Sequence, residues 1–212
     1  MADPTSFPGD IIVAGNIRVN GSISPAIAKA NILALAELQA FPIPLTDFRV
    51  WDAMQTNLPG TPSSDDLGLV GGTFGTATPS IRTEDLKAAG ATSKYARVLV
   101  QLPWEYEAGQ TVKIRLKAGM ITTISDTTAT IDVEAYKLQG DPDDAIGSDL
   151  VSTAATTINS TTFADIDFTV TPSSLSPGDI LDVRVKIAIN DGATATAVIG
   201  AFTSAKLLAD VR

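Results

Sequence analysis

Leu181-Asp182-Val183-Arg184-Val185-Lys186-Ile187-Ala188-Ile189 alternates apolar residues with charged or small ones, without a break. A period of two puts Leu181, Val183, Val185, Ile187 and Ile189 on one face of a strand and Asp182, Arg184 and Lys186 on the other. The β-branched residues favour that conformation. The same pattern recurs on both sides of this stretch. Ala96, Val98, Val100 and Leu102 alternate with Arg97 and Gln101. Val112, Ile114, Leu116 and Ala118 alternate with Lys113, Arg115 and Lys117, and Ile131, Val133 and Ala135 with Asp132 and Glu134. Ile166, Phe168 and Val170 follow opposite Asp165 and Asp167. A final run over 197–211, a segment over 67–73 and a short strand near Leu150 bring the total to about eight, the number a two-sheet jelly roll uses. Each strand has a dry face and a wet face. The fold class is therefore mainly β, a jelly-roll-like antiparallel β-sandwich, with acids and bases on the wet faces placed to pair across strands.

Upstream, residues 9–23 hold two short alternating runs punctuated by Gly15-Asn16 and Asn20-Gly21, dipeptides suited to tight turns. Ile11, Val13, Ile17, Val19 and Ile23 form too narrow a face to fold alone, since an isolated hairpin is marginal in water. Ser24-Pro25 then supplies an N-cap and a first-turn proline, and the Ala- and Leu-rich stretch 26–40 predicts a helix ended by Pro42 and Pro44. Ile27, Asn31, Ala34, Leu38 and Phe41 recur at coiled-coil spacing, so Ile27, Asn31, Ala34 and Leu38 are the candidate oligomer interface. A helix packed on its own domain accounts for the same residues. The expected organisation is an arm and helix over 1–44 and a sandwich over 45–212.

The 212 residues contain no cysteine and no histidine. That removes disulfides, thiolate nucleophiles, the commonest general base, the His-containing triads and most transition-metal sites, leaving carboxylate, Lys or Tyr chemistry. The expectation is no enzyme, no cofactor and no metal. A net charge of −9 opposes binding to a phosphate backbone, so nucleic acid is not an expected partner. The N-terminus lacks the basic start and apolar core of a signal peptide, and no stretch approaches the roughly 18 apolar residues of a membrane span; a soluble chain without a membrane partner is expected.

Three stretches could carry chemistry. Asp141, Asp143, Asp144 and Asp149 lie in one loop, but the spacing is not that of an EF-hand, and a solvated turn explains them. Trp104-Glu105-Tyr106-Glu107 mixes aromatics with carboxylates, as a sugar site or glycosidase would, though packing at a sandwich edge is the simpler role. Residues 68–75, Gly-Leu-Val-Gly-Gly-Thr-Phe-Gly, lack phosphate-loop spacing and read as close strand packing or a bulge.

Gly15-Asn16-Ile17-Arg18-Val19-Asn20-Gly21 resembles the GNxxVNG stretches near the N-termini of tailed-bacteriophage fibres and head-decoration proteins. Residues 41–52 and 175–181 resemble uncharacterised phage-associated β-proteins. The resemblance implies a virion surface protein of the cement, decoration or head-fibre type, homotrimeric, made in the host cytoplasm and carried on the outer capsid surface. The implied partners are the major capsid protein and further copies of the chain. The implied capsid-binding residues are Ile11, Ile12, Val13, Asn16, Ile17, Val19 and Ile23, which can add short strands to an edge on the shell. The rival reading is a fibre or baseplate component that binds a host cell-surface glycan or receptor. Exposed aromatics clustered in one groove would favour that rival, and their burial would favour cement.

Overall fold

The computed structural model describes residues 38–62 and 64–211. Among these, ten strands form two antiparallel sheets. In the first sheet the order is β2 (Gly68–Val70), β3 (Ser80–Arg82), β10 (Val198–Ala209), β5 (Val112–Thr122) and β8 (Ala164–Val170), and β1 (Gln39–Ile43) also pairs with β10. In the second the order is β4 (Gly90–Gln101), β9 (Ile180–Asp191), β6 (Thr128–Lys137) and β7 (Thr156–Thr157). The mainly β, jelly-roll-like sandwich read from the alternation is the fold observed. No helix among the described residues is long and apolar enough to cross a membrane.

The inner faces supply the core. Val98, Leu116, Ile131, Val133, Leu181, Val183, Val185, Ile187, Phe168 and Phe202 are all essentially inaccessible to solvent. Burying each such side chain stabilises the fold by about 1.5–3 kcal/mol. Phe202 meets Phe48 edge-on, ring centroids 5.3 Å apart, which ties the segment after β1 to the centre of the first sheet. Gly200 marks a tight approach: a Cβ there would come within 2.8 Å of Ile187 on the opposite sheet.

β10 is shared. Its first half pairs with β3 at Ala201 and Phe202, its second half with β1 from Ala205 to Ala209, and β5 runs along its whole other side. The register with β5 shifts between Phe202 and Ser204, a bulge that re-aims the strand where its outer neighbour changes.

The helix expected over 26–40 needs correction at its end: Gln39 and Ala40 are strand residues of β1, and Phe41, assigned to the helical seam, is paired with Leu207. Pro42 and Pro44 explain the difference, because the residue before a proline is pushed to extended geometry and an edge position leaves proline's missing N–H without consequence. Two pieces of the strand list also shift. The strand expected near Leu150 is a single bridge, Val151 to Val170, and the paired segment is β7 instead. β3 escaped the alternation because three residues are too few to show a period.

One end of the sandwich is organised by Asp191, fully buried at the end of β9. Its carboxylate accepts the N–H of Ala88 at 2.8 Å and of Asp126 at 3.0 Å, and the Thr194 hydroxyl, joining three loops. Burial by itself would raise its pKa, but the hydrogen bonds from Thr194, Asp126 and Ala88 outweigh that and hold it at about 2. A folded pKa below the ordinary 3.8 means that the stabilisation is complete above about pH 4 and is lost as pH falls through about 2. Asp191→Asn, which replaces one acceptor oxygen by a donor, is expected to lower the unfolding temperature clearly at pH 7. The gap to the unmodified protein should narrow between pH 4 and pH 2, as read by thermal melts across that range; a gap independent of pH would show that the charge is not the stabilising element.

Candidate functional site

The outer face of the second sheet carries an array of ion-paired and aromatic side chains. Strand register builds it in rows. Arg97 of β4 lies opposite Arg184 of β9, which lies opposite Glu134 of β6. On one side of this row runs Tyr95, Lys186 and Asp132, and on the other Leu99, Asp182 and Tyr136. The alternation that buries Ala96, Val98, Val183, Val185, Val133 and Ala135 forces these neighbours outward.

Two arginines directly opposite each other on adjacent strands repel. The array resolves this by giving each its own carboxylate. Arg97 donates from Nε to Asp182 at 2.7 Å and makes a second bond from its terminal nitrogen to the same carboxylate, a bidentate pair. Asp182 is 7% exposed at its side chain, and this pairing raises the guanidinium pKa of Arg97. Arg184 bonds Glu134 at 2.5 Å, and Lys186 pairs with Asp132 at 3.2 Å. The guanidinium of Arg184 also lies 5.3 Å from the Trp51 ring centre and 5.1 Å from that of Tyr95, within cation–π range. The two rings are themselves 5.1 Å apart.

Trp51 reaches this face from the loop after Phe48. Backbone bonds between Arg49 and Arg97, in both directions, and from Trp51 Nε1 to Asp65 at 2.9 Å hold it there. Trp51, Asp52, Arg97, Glu134, Tyr136, Ile146, Asp182 and Arg184 enclose a groove of about 310 Å³. Trp51 and Tyr136, which line it, are half-buried, as is Tyr95 beside Trp51. Burial first, then the Glu134 and Asp149 carboxylates, raise the Tyr136 phenol above its usual range. Beyond the Tyr95 row, Ser93, Thr130, Ala188 and Asn190 line a second hollow of about 280 Å³ on the same face.

The motifs singled out in the sequence lie elsewhere. Trp104 is exposed but lies flat against Gly178, where a Cβ would sit 2.7 Å from the ring; Tyr106 is buried with its hydroxyl donating to the Gln110 carbonyl at 2.8 Å. That is the edge-packing role. Asp149 accepts the N–H groups of Ala135 and Val151, both at 2.9 Å, and Asp141 accepts that of Asp143, so these carboxylates serve turns. Gly68 packs against Pro59 and Pro62 with no room for a side chain, as close strand packing requires. The candidate capsid-binding residues Ile11, Ile12, Val13, Asn16, Ile17, Val19 and Ile23 lie outside the described residues, as do Ile27, Asn31 and Ala34. Leu38, the remaining seam residue, is exposed and sits just before β1. Of the groove residues, Arg97, Glu134, Tyr136, Asp182 and Arg184 occupy wet-face positions of β4, β6 and β9, whereas Trp51, Asp52 and Ile146 lie outside those strands. The signal that could have marked them is aromatic residues in the wet register, Tyr95 and Tyr136.

No family model matches the chain, and no curated protein matches it. Among solved structures, it is similar at a TM-score of 0.42 and 10% identity to the N-terminal modules of an endo-1,4-β-D-xylanase from Clostridium thermocellum, over 82% of this chain and 28% of that one. It is similar at 0.41 and 15% identity to a xylan-binding domain from Paenibacillus barcinonensis, over 81% and 98%. A third similarity, at 0.37 and 12% identity, is to infectious bursal disease virus, over 81% and 31%. This chain thus spans under a third of the xylanase chain and of the viral one. The likeness is one of β-sandwich architecture.

Asp182→Ala leaves Arg97 and Arg184 opposed with one carboxylate between them and is expected to destabilise the fold by about 2 kcal/mol, the buried-pair cost reduced for the partly exposed arginine. Asp132→Ala, which breaks the more exposed pair with Lys186, is expected to cost less than about 1 kcal/mol. Urea unfolding of the two variants reads the contrast, and equal losses would show that Asp182 does not organise this face.

Proposed function

We propose that this protein is a non-catalytic structural protein of a virion surface: a capsid decoration protein whose N-terminal segment attaches to the major capsid shell while the sandwich projects outward. The observation that carries this reading is the combination of the Gly15–Gly21 segment with a sandwich that holds a continuous core of its own from Ile43 to Ala209. A domain with its own core leaves an alternating Ile- and Val-rich segment free to add strands to another surface. Three copies would multiply weak arms into firm attachment without new kinds of contact.

A second reading is favoured by one specific observation. Trp51 and Tyr136 line one groove, as expected of a fibre or baseplate component recognising a glycan or receptor rather than of a plain cement protein. The two readings share a design, an attachment segment and a projecting sandwich, and differ in what the sandwich does once displayed.

Deleting residues 1–23 is expected to leave the thermal transition of the sandwich nearly unchanged and to abolish co-sedimentation with undecorated capsids. Full occupancy by the truncated protein would assign attachment to the sandwich instead. For the intact protein, sedimentation equilibrium is expected to give three times the 22.0 kDa chain mass; a monomer at micromolar concentration would remove the trimer.

A further inference from the structure

We infer that the outer face of β4, β9 and β6 is a binding site for a neutral polysaccharide chain, with Trp51 and Tyr136 as ring platforms and Arg97, Asp182 and Glu134 as partners for its hydroxyls. A sugar ring presents a patch of C–H groups on its face and hydroxyls around its rim. A half-exposed aromatic ring covers the apolar patch, its negative π face meeting weakly positive hydrogens, while the rim hydroxyls remain free to bond. The groove supplies both parts. Trp51 and Tyr136 both line it, together with the ionic groups of Arg97, Glu134, Asp182 and Arg184.

Those ionic groups are already immobilised. Arg97 is locked to Asp182 by two bonds, and Arg184 is held by Glu134 and by two rings. Each guanidinium has five N–H donors and each carboxylate several acceptor sites, so bonding capacity is left over after the pairs form. Side chains fixed before the ligand arrives lose little entropy when it binds. Hydroxyls, as donors and acceptors at once, suit a surface that offers both kinds of group side by side.

Charge selects the class of chain. The groove contains Asp52, Glu134 and Asp182 against Arg97 and Arg184, every guanidinium already matched to a carboxylate, on a protein of net charge −9. A uronate, sialate or phosphate-bearing polymer would meet repulsion, with no cation among the described groove residues left without a carboxylate to offset it. Shape selects length. The second hollow, lined by Ser93, Thr130 and Ala188, continues the face along β9. From Asp182 to Asn190 the strand covers roughly 26 Å at about 3.3 Å per residue. Two hollows spaced along one face of that length fit several sugar units of an extended chain better than a single sugar.

This inference rests on the second, glycan-recognising reading and not on capsid attachment, and the two fail separately: a protein that decorates capsids can lack the glycan site, and the reverse. The test is native gel electrophoresis of the full chain through gels containing hydroxyethylcellulose, arabinoxylan, galactomannan or dextran, with alginate as the anionic comparison. Retardation is expected in at least one neutral gel and not in alginate. Trp51→Ala and Tyr136→Ala are each expected to weaken it by about tenfold or more, equivalent to about 1.4 kcal/mol, while Trp104→Ala, on an exposed ring outside the groove, leaves it unchanged. Trp51 also bonds Asp65, so melts accompany each variant; if Trp51→Ala unfolds, Tyr136→Ala carries the comparison. No retardation in any neutral gel would overturn the inference, as would retardation confined to alginate or retardation that Tyr136→Ala does not reduce.

Discussion

Everything in this fold depends on the inner face of β9, apolar at every second position from Leu181 to Ile189 and ended by the buried, hydrogen-bonded Asp191. Leu181, Val183, Val185 and Ile187 are inaccessible to solvent, and β9 is paired on both sides, so it cannot slip by one residue without driving Asp182, Arg184 and Lys186 into the core. The cost of burying even one unpaired charge exceeds the stability of an ordinary domain's margin. The register is fixed by that prohibition, and the rows of the outer face follow from the register. Arg97, Arg184 and Glu134 meet because the hydrophobic side of the strands leaves them no other alignment.

The acidic balance of the chain has a second origin in the loops. Asp85, Asp126, Asp149 and Asp191 each accept backbone N–H groups at the ends of strands or in turns. Carboxylates in this role satisfy buried or half-buried donors that a sandwich with many short connections must otherwise leave exposed to water. Four of the 24 acidic side chains therefore also close loops and strand ends. On the first sheet, Asp167 does equivalent service for Lys113 and Arg115, whose bonds hold its carboxyl below the ordinary carboxylate range.

The long strands were legible because their burial is one-sided and regular, so β4, β5, β6, β8 and β9 stand out from the alternation alone. β1 was not, because Gln39-Ala40-Phe41-Pro42-Ile43 continues an Ala- and Leu-rich stretch whose local preference is helical; only pairing with Leu207 and its neighbours makes it a strand, and that partner lies more than 160 residues away in sequence. The groove was half legible. Its charged members appear as the wet residues of three strands, but the sequence does not say that those strands are adjacent, nor that the Phe48–Trp51 segment folds beside them. Adjacency is a property of topology, and topology here places β9 between β4 and β6, strands that precede it by dozens of residues. Trp104, the more conspicuous aromatic in the sequence, proved to rest on Gly178, a contact that depends on a positive φ no pattern of hydrophobicity reports.

The pairing of Gln39 with Ala209 has a geometric consequence for engineering. The chain enters and leaves the sandwich side by side, at the end where β10 finishes, while the loops gathered by Asp191 lie at the end where β10 begins. A peptide grafted between Gly192 and Thr196 would therefore be presented at the tip remote from the paired Gln39 and Ala209. The limit on such a graft is set by Thr194, whose hydroxyl belongs to the Asp191 cluster, so an inserted segment is best tolerated when that residue is kept.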